Sequence, residues 1–283
     1  MKQKWLKRGL LLAALMVGGL LFFRWSQESI VTPVYTVTDP DLPEAFDGFR
    51  IVHISDLHGK EFGEDSSRLI EAVAALEPDL IAVTGDLIDQ WEQQEMLTEL
   101  MVGLLQEEVP VYYVTGNHEW ALRETRTLKD FLGFLGFRVL SNEYDVLERK
   151  GQKLVIAGVD DPNGPADQKT PDQLREEITA EQGNAYTLFL SHRDTVERYA
   201  ELGFDLTLCG HGHGGIVRIP ILDKGVLGTN RQFFPAYDGG LYTFENGTAC
   251  VVSRGLGSNT VPVQAFRLFN RPDLPLIILR KGA

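Results

Sequence analysis

Five short polar stretches, each directly after an apolar run of strand length, constrain the fold of this chain more than any other feature. Their sequences are Ser55-Asp56-Leu57-His58, Thr84-Gly85-Asp86, Thr115-Gly116-Asn117-His118-Glu119, Leu190-Ser191-His192 and Cys209-Gly210-His211-Gly212-His213. Five of the six histidines of the chain lie in these stretches. Because the ligands of open α/β sheets bind beyond the carboxyl ends of the strands, this placement predicts one polar site formed at successive strand ends.

The segments between the polar stretches carry the periodicity of an α/β fold. Strands are predicted over 49–55, 80–84 and 111–115, and amphipathic helices over 66–76 and 91–106. This β-α-β-α-β order implies parallel strands with helices packed on the sheet. The later predicted elements are helices at 128–135, 170–180 and 194–202 and strands at 138–140, 145–149, 153–158, 186–190, 206–209, 216–219, 241–244, 248–252 and 276–279.

The residue types in the polar stretches are those of a metal site. Asp56 and His58 are two residues apart, so in an extended turn both side chains can face one point. Asp86, Asn117 and His211 each follow a glycine, which allows a sharp turn that brings a short side chain close to an ion. Imidazole and oxygen ligands together favour Mn, Fe or Zn over Ca or Cu(I). The stretches therefore predict a site for two divalent metal ions.

Ordinary structural roles would explain any one of these residues alone. An Asp after a strand is often a helix cap or a turn residue, and a lone His is more often a core or surface group than a ligand. Five such coincidences at strand ends are much harder to explain together, so we favour the metal site. His53 is the exception, because it lies inside a predicted strand and out of phase with Asp56. We predict that His53 is structural.

An apolar run over residues 9–23 follows four basic residues near the start of the chain. As a helix this run spans roughly 22 Å, against about 30 Å for a hydrocarbon core, so the flanking Trp and basic side chains complete the span. The next residues, Arg24-Trp25-Ser26-Gln27, do not form a small-residue cleavage site. This favours an uncleaved anchor over a cleaved signal peptide or a buried soluble helix. The basic flank predicts a single-pass membrane protein whose domain faces outward from the cytoplasm.

The chain therefore divides into three predicted parts. Residues 1–27 form the anchor, residues 28–48 form a stalk with an entry strand, and residues 49–283 form the domain. Cys209 and Cys250 lie in apolar strand-like runs and are predicted to be buried thiols, although an outward-facing domain also permits a disulfide. The formal net charge of −13 disfavours a stable nucleic-acid partner, although bound metals can make an acidic pocket locally positive.

The five polar stretches together resemble the full motif set of the calcineurin-like metallophosphoesterases, with order and spacing intact over residues 50–217. Four flanking sequences resemble the membrane-associated bacterial branch of that family. They are Ile54-Ser55-Asp56-Leu57-His58-Gly59, Gly158-Val159-Asp160-Asp161-Pro162, Ser253-Arg254-Gly255-Leu256-Gly257 and Asn270-Arg271-Pro272-Asp273. The resemblance implies an α/β fold that is a four-layer α-β-β-α sandwich, here with an N-terminal transmembrane helix.

The resemblance also implies a role for each matching residue. The first metal ion is held by Asp56, His58 and His213, the second by Asn117, His192 and His211, and Asp86 bridges the two. His118 faces the substrate, where it protonates the leaving oxygen or binds a phosphoryl oxygen, and Glu119 orients it. Arg254, in one of the branch-specific sequences, and Asp161 are expected to bind the substrate at the rim of the pocket. The alternative for Arg254 is that it holds a turn or binds a carboxylate.

The implied activity is hydrolysis of a phosphodiester or pyrophosphate bond by a hydroxide shared between two metal ions, which lower the pKa of bound water toward ~7. The anchor suggests a lipid-linked or cell-envelope substrate. One alternative is a UDP-2,3-diacylglucosamine pyrophosphatase-like enzyme, which fits poorly with an outward-facing site. A second is a nuclease or cyclic-nucleotide phosphodiesterase, against which the net charge argues weakly. A third is a non-catalytic metal-binding module of the envelope, against which the intact ligand set and His118 argue.

Overall fold

The computed structural model describes residues 2–229, 231–258 and 266–282, so the predicted anchor and domain each include positions outside the described residues. The helices are α1 (Lys2–Glu28), α2 (Ser67–Ala74), α3 (Gln94–Leu105), α4 (Asn117–Ala121), α5 (Thr125–Leu135), α6 (Pro171–Gln182) and α7 (Val196–Leu202). The strands are β1 (Val34–Asp39), β2 (Arg50–Ile54), β3 (Leu80–Thr84), β4 (Val111–Val114), β5 (Arg138–Val139), β6 (Glu143–Arg149), β7 (Gln152–Gly158), β8 (Thr187–Leu190), β9 (Leu206–Cys209), β10 (Arg218–Ile219), β11 (Lys224–Gly225), β12 (Gly240–Thr243), β13 (Ala249–Val252) and β14 (Leu276–Lys281).

Two six-stranded sheets form the body of the domain. The first has the order β1-β14-β2-β3-β4-β5, and the second has the order β12-β13-β9-β8-β7-β6. β2, β3 and β4 run parallel in the first sheet, and β7, β8 and β9 run parallel in the second. The parallel arrangement brings the carboxyl ends of β2, β3 and β4 to one edge, and likewise those of β8 and β9.

Alternate side chains of the buried strands separate the core into layers. In β3, Leu80 and Ala82 face the second sheet, whereas Ile81 and Val83 face helices α2, α3 and α5. Helices α6 and α7 cover the outer face of the second sheet, where Leu174 and Ile178 pack on strand residues. Because both faces of the central strands are covered, these strands are near-continuous apolar runs. The predicted four-layer α-β-β-α sandwich is confirmed.

Several element boundaries differ from the predictions for local reasons. The helix predicted over 91–106 begins with a 3₁₀ turn at Trp91–Gln93. The short helix α4 was not predicted, and the carboxylate of Glu119 supports its start by accepting the N–H of Gly116 at 2.7 Å. The strand predicted over 216–219 is limited to β10, because Gly214 and Ile216 have positive φ and turn the chain.

The predicted stalk packs against the domain over most of its length. Val31 pairs with the segment near Asp273, β1 pairs in parallel with β14, and Phe46 is buried between the sheets. Cys209 and Cys250 are free, buried thiols on neighbouring strands, with their Sγ atoms 3.7 Å apart. The predicted stalk is therefore part of the folded domain and does not act as a spacer between the domain and α1.

Helix α1 differs from every other described helix in length and exposure. Its 27 residues extend about 40 Å at 1.5 Å per residue, which is enough to cross a bilayer. Within the described chain it is the one helix with the length and apolar composition of a membrane span, and its most apolar stretch is not buried in the domain. Its last turns contact the domain, where Ser26 is fully buried and its Oγ donates to the carbonyl of Arg267 at 3.1 Å.

Candidate dinuclear metal centre

The ends of five strands from both sheets meet at one place and bring the predicted ligands together. The ligand atoms of Asp56, His58 and His213 all lie within 4.8 Å of one another, and the same holds for Asp86, His192 and His211. Asn117 joins the second group, because its Oδ1 lies 3.2 Å from His192 Nε2. All seven predicted metal ligands are therefore part of one cluster, here called the metal centre.

The backbone at the metal centre is strained. Five of its residues have positive φ angles, namely Asp56 (50°), His58 (52°), Asp86 (52°), His211 (66°) and His213 (48°). A left-handed conformation costs a non-glycine residue about 1–3 kcal/mol and persists only where the surrounding structure holds it. These residues form sharp turns directly after the strands, and the turns direct their side chains to one point. Each polar stretch of the sequence can therefore be short.

Two imidazoles are oriented by hydrogen bonds on their outer nitrogens. His58 Nδ1 lies 2.7 Å from Asp89 Oδ1, and His192 Nδ1 lies 2.8 Å from the carbonyl oxygen of Thr84. We assign the proton to Nδ1 in both rings, because both partners are acceptors. The Nε2 atoms of both rings then carry free lone pairs that point into the centre.

The inner nitrogens of neighbouring rings are close together. His58 Nε2 lies 3.1 Å from His213 Nε2, and His192 Nε2 lies 3.1 Å from His211 Nδ1. Lone pairs that face each other at this distance repel unless a proton or a cation lies between them. Imidazoles, carboxylates and one amide form the donor set that Mn, Fe and Zn accept. The residues present therefore fit a pair of divalent ions.

Asp56 is held by a chain of polar groups that extends into the core. Its Oδ2 accepts a hydrogen bond from Ser55 Oγ at 2.6 Å, and Ser55 Oγ accepts one from Thr84 Oγ1 at 2.8 Å. His53 Nε2 lies 2.8 Å from Thr84 Oγ1 and is the last member of this series of hydrogen bonds. Burial lowers the pKa of His53 to about 3, so the ring is neutral and structural, in agreement with the prediction.

Asp86 lies between the two groups of ligands. Its Oδ2 is 3.3 Å from His192 Nε2 and 3.7 Å from His58 Nε2, and its Oδ1 accepts the backbone N–H of His118 at 2.8 Å. Burial by itself raises the pKa of Asp86, but when the imidazoles of His192, His58 and His118 are protonated they lower it by more, so the pKa then lies below its usual range. Asp86 therefore lies within reach of ligand candidates in both groups.

His118 lies at the exposed side of the centre, and its side chain is 22% exposed. Its Nδ1 is 2.7 Å from Asp89 Oδ1, and its Nε2 is 3.9 Å from Asp86 Oδ2. Burial lowers the pKa of His118, but the hydrogen bond to Asp89 and the charges of Asp86 and Asp89 raise it by more, so the pKa lies above its usual value. The accessible nitrogen of this ring therefore carries a proton more readily than that of an ordinary histidine.

Asp89 is a residue that the sequence analysis missed. The same Oδ1 atom contacts the metal-ligand candidate His58 and the substrate-facing candidate His118. Burial raises the pKa of Asp89, but the hydrogen bonds from His118 and His58 lower it to about 2, so this carboxylate is ionised. The feature of the sequence that could have indicated Asp89 is its position three residues after Asp86, in the turn that follows β3.

The prediction that Glu119 orients the ring of His118 is wrong, because the carboxylate of Glu119 contacts the backbone instead. Its fully buried carboxylate accepts the backbone N–H groups of Asp86 at 2.9 Å, Leu87 at 2.6 Å and Gly116 at 2.7 Å. Burial raises the pKa of Glu119 to about 7. The acceptors of Glu119 are thus used to join two turns of the backbone, and Asp89 is the carboxylate that orients the ring of His118.

The two predicted substrate-binding residues lie behind the centre or beside it. The side chain of Asp161 is fully buried and accepts the guanidinium of Arg193, whose Nη1 lies 2.9 Å from His211 Nε2. The guanidinium of Arg193 therefore lies between Asp161 and His211, and the substrate contact of Asp161 stays a prediction. Arg254 forms an ion pair with the buried Asp273 at 3.0 Å, the carboxylate contact that the sequence had left open, and its substrate contact stays a prediction.

Comparison with protein families gives one match that covers most of the domain. The calcineurin-like phosphoesterase family matches residues 49–215. The chain is 30% identical over 250 residues to an uncharacterized metallophosphoesterase of Aquifex aeolicus, which covers 87% of this chain and 90% of that protein. It is 27% identical over 272 residues to the uncharacterized metallophosphoesterase YkuE of Bacillus subtilis, covering 93% of this chain and 90% of that protein.

A further bacterial relative is the phosphodiesterase YaeI of Escherichia coli, which is 27% identical over 240 residues, or 82% of each chain. The similarity to YkuE and YaeI confirms the bacterial relatives that the flanking sequences indicate. Among solved structures, the NAD nucleotidase NadN of Haemophilus influenzae superposes with a TM-score of 0.52 at 17% identity, over 74% of this chain and 46% of that chain. This likeness shows the fold alone.

Proposed function

This chain belongs to the calcineurin-like phosphoesterase family and is a metal-dependent phosphoester hydrolase, and from that premise we propose that it hydrolyses phosphodiester or pyrophosphate bonds at a membrane surface. The observation that carries the proposal is the position of Asp86 between two groups of ligands whose inner atoms face each other. The name of YaeI supports a diester rather than a monoester as substrate.

The proposed ligand sets follow from the two groups. Asp56, His58 and His213 would hold the first ion, Asn117, His192 and His211 would hold the second, and Asp86 would contribute to both. When bound, a pair of Mn, Fe or Zn ions neutralises charge on phosphoryl oxygens and lowers the pKa of a water molecule.

The protein's own groups then position the substrate and move one proton. His118 presents Nε2 on the exposed side of the centre, while Asp89 holds Nδ1 and so fixes the plane of the ring. The raised pKa of His118 favours a proton on Nε2, which would pass to the leaving oxygen. Arg193, held by Asp161, adds a fixed positive charge beside His211. Glu119 keeps the turn of Asp86 in place through its three backbone contacts.

The membrane location is part of the proposal. We place residues 1–27 in the membrane as an uncleaved anchor, residues 28–48 against the domain, and the catalytic domain of 49–283 outside the cytoplasm. The length and exposure of α1 support the anchor, and the basic residues at its start support the orientation. The substrate we propose is a lipid-linked or cell-envelope phosphoester. A reporter fused after Ala283 that is active only in the cytoplasm would overturn this orientation and favour the nucleotide-sugar lipid alternative.

The experiment that tests the activity uses the full chain in detergent, loaded with Mn²⁺. Hydrolysis of bis(p-nitrophenyl) phosphate is compared with that of p-nitrophenyl phosphate, before chelation, after chelation and after Mn²⁺ is added back. We expect diester turnover that the chelator removes and the metal restores. Turnover of the monoester alone would instead identify a phosphatase. Two bound metals without turnover of either compound would favour the binding-module alternative.

A further inference from the structure

Exposed apolar side chains are concentrated in one part of the domain. Outside α1, the described residues expose nine large hydrophobic side chains strongly, and six of these lie between residues 221 and 269. We call these six the apolar rim. The residues of the apolar rim are Ile221, Leu222, Phe233, Phe234, Phe266 and Phe269. Ile221 is 94% exposed, so nothing in the described chain covers it. A cluster of large exposed apolar groups marks a surface that contacts another phase or molecule.

Backbone pairing holds most of the apolar rim in one body. Val217 pairs with Leu268, and the N–H of Arg218 donates to the carbonyl of Leu268 at 3.0 Å, which ties the β10–β11 hairpin to the segment of Phe266 and Phe269. Ile221 and Leu222 lie in the turn of that hairpin. The N–H of Phe234 donates to the carbonyl of Val226 at 3.0 Å, just after β11. The positions of these side chains are therefore set by the fold.

The apolar rim continues directly from the membrane helix. The ring of Phe269 lies 5.0 Å from the ring of Phe22, and the guanidinium of Arg271 lies 4.6 Å from the ring of Trp25. Phe22 belongs to the apolar run of α1, so in the proposed topology it lies at the edge of the hydrocarbon core. Phe269 belongs to the domain and contacts Phe22, so this part of the domain surface lies at the same depth in the bilayer as Phe22.

The charge of this part of the chain differs from that of the remainder. Residues 216–271 carry six basic and three acidic side chains, of which Arg218, Arg267 and Asp238 are buried. The surface of this segment therefore keeps a small excess of basic groups, whereas the whole chain has a net charge of −13. Anionic lipid headgroups repel the acidic remainder of the domain and attract the basic segment. Apolar side chains with basic neighbours are the composition of segments that lie in a membrane interface.

The same segment is joined to the metal centre. Asn270 Nδ2 donates to the carbonyl of the ligand candidate His213 at 2.7 Å and to that of Ile216 at 3.1 Å. The fully buried Arg267 brings its Nη2 to 3.4 Å from His213 Nδ1. Phe269 of the apolar rim is therefore next in sequence to Asn270, which holds the backbone of a ligand candidate.

We infer that the apolar rim inserts into the lipid interface beside α1 and forms a second membrane contact that holds the metal centre against the headgroup layer. The occupant of this surface is the bilayer itself, because the rim contacts α1 through Phe269 and its segment keeps a small basic excess that the remainder of the chain lacks. The substrate class that this arrangement selects is a phosphoester in a lipid headgroup. The inference rests on the proposed anchor and deepens the proposed function.

The test places fluorescent labels on the full chain in vesicles of phosphatidylcholine and phosphatidylglycerol. Cysteine is introduced by Leu222→Cys in the rim, by Leu12→Cys in α1 and by Phe134→Cys, an exposed site on α5 that serves as the matched control. The native cysteines are buried, and the unsubstituted chain gives the background. The readout is quenching by a phospholipid that carries a nitroxide near its headgroup, with a deeper nitroxide for Leu12.

We expect quenching at Leu222 and Leu12 and none at Phe134. Quenching at Leu12 alone would overturn the second contact and leave the anchor intact. No quenching at either position would overturn both. If the label at Leu222 is not quenched by the nitroxide but its emission changes with protein concentration, the surface contacts a second copy of the chain. That result would also overturn the inference.

A functional arm separates this inference from the activity itself. The double variant Ile221→Asp with Leu222→Asp should keep the turnover of soluble bis(p-nitrophenyl) phosphate and lose about tenfold in turnover of a phosphodiester lipid in the same vesicles. Phe134→Asp, the matched control, should change neither. Equal losses on both substrates would identify a structural role for the rim. If the unsubstituted chain cleaves no diester, the proposed function fails, and the labels still decide the membrane contact.

Discussion

The metal centre and the apolar rim are neighbours in the chain, and in each of them side chains lie where their chemistry disfavours them. At the metal centre, charged side chains such as Asp56 and Asp86 are buried. At the rim, large apolar side chains such as Ile221 and Leu222 are exposed. Buried charges and exposed apolar clusters are the two informative departures from an ordinary soluble protein. The comparison teaches that this domain has two adjacent functional regions, one facing the reaction and one facing the surroundings.

The two regions differ in how tightly the fold constrains them. Each ligand of the metal centre depends on several partners, as Asp86 does on Glu119 and His118, so one substitution disturbs many contacts. The side chains of the rim have few partners within the chain, so a substitution there should leave the fold intact. The predictions that follow test this contrast, from the largest expected effect to the smallest.

The largest effect is expected for Asp86→Ala. Because Asp86 lies within reach of His192 and His58, removing its carboxylate leaves each group of ligands incomplete. We expect the metal content, measured by elemental analysis of the purified chain, to fall from two ions toward none, with activity lost together with the metal. Asp130→Ala, which removes an exposed carboxylate on α5, should keep both ions. If Asp86→Ala kept two metal ions, the assignment of Asp86 as a carboxylate shared by both ions would be wrong.

A smaller loss, without loss of metal, is expected for His118→Ala. The ring lies at the exposed side and is assigned to proton transfer, which contributes about 10²–10⁴-fold to a rate. The variant should keep two ions and lose turnover within that range. His192→Ala, which removes a ligand candidate of the same residue type, should lose metal. If His118→Ala emptied the site, its role as a group outside the ligand set would be wrong.

Asp89→Asn should reduce activity by about 10–100-fold, because Asp89 orients both His58 and His118. The pH profile separates this role from a general loss of structure. A histidine with a raised pKa stays protonated to higher pH, and the activity that needs its proton is lost as pH rises through that pKa. Without the charge of Asp89, the pKa of His118 falls and the descending limb of the profile moves to lower pH. A loss of rate with an unchanged limb would contradict this role, and Asp130→Asn serves as the control.

The smallest effect on stability is expected at the rim. Leu222→Ala should change the free energy of unfolding by no more than about 0.5 kcal/mol, because the side chain is exposed. Leu208→Ala makes the same chemical change in the core between the sheets and should cost about 2–5 kcal/mol. Denaturant unfolding of both variants in detergent gives the two values. Similar costs at both positions would mean that the rim is part of the core.

The two regions also differ in how far the sequence predicts them. The clustering of the ligand candidates was predictable because each one follows a strand directly, so the order of the chain fixes its place at the sheet edge. Asp89 was missed because its contacts to His58 and His118 depend on how the β3 turn folds over the centre. Glu119 was misassigned because its position next to His118 in sequence does not determine where its carboxylate points. On a helix, successive side chains point in different directions.

The apolar rim was not predictable by periodicity. Its residues lie in three separate irregular segments that are joined by single bridges such as Val217 with Leu268. No repeat of two or 3.6 residues connects them, and only the folded chain brings Phe269 to α1. The four-layer architecture, in contrast, depends on strands and helices whose patterns are long enough to recognise.

The position of β14 sets the order in which the protein can mature. In the first sheet β14 lies between β1 and β2, pairing in parallel with one and antiparallel with the other. During synthesis β1 and β2 are made early, yet the space between them stays open until residues 276–281 have left the ribosome. The first sheet, and with it the support of the β2 turn that carries Asp56, is therefore completed only after the last strand of the described chain has been made.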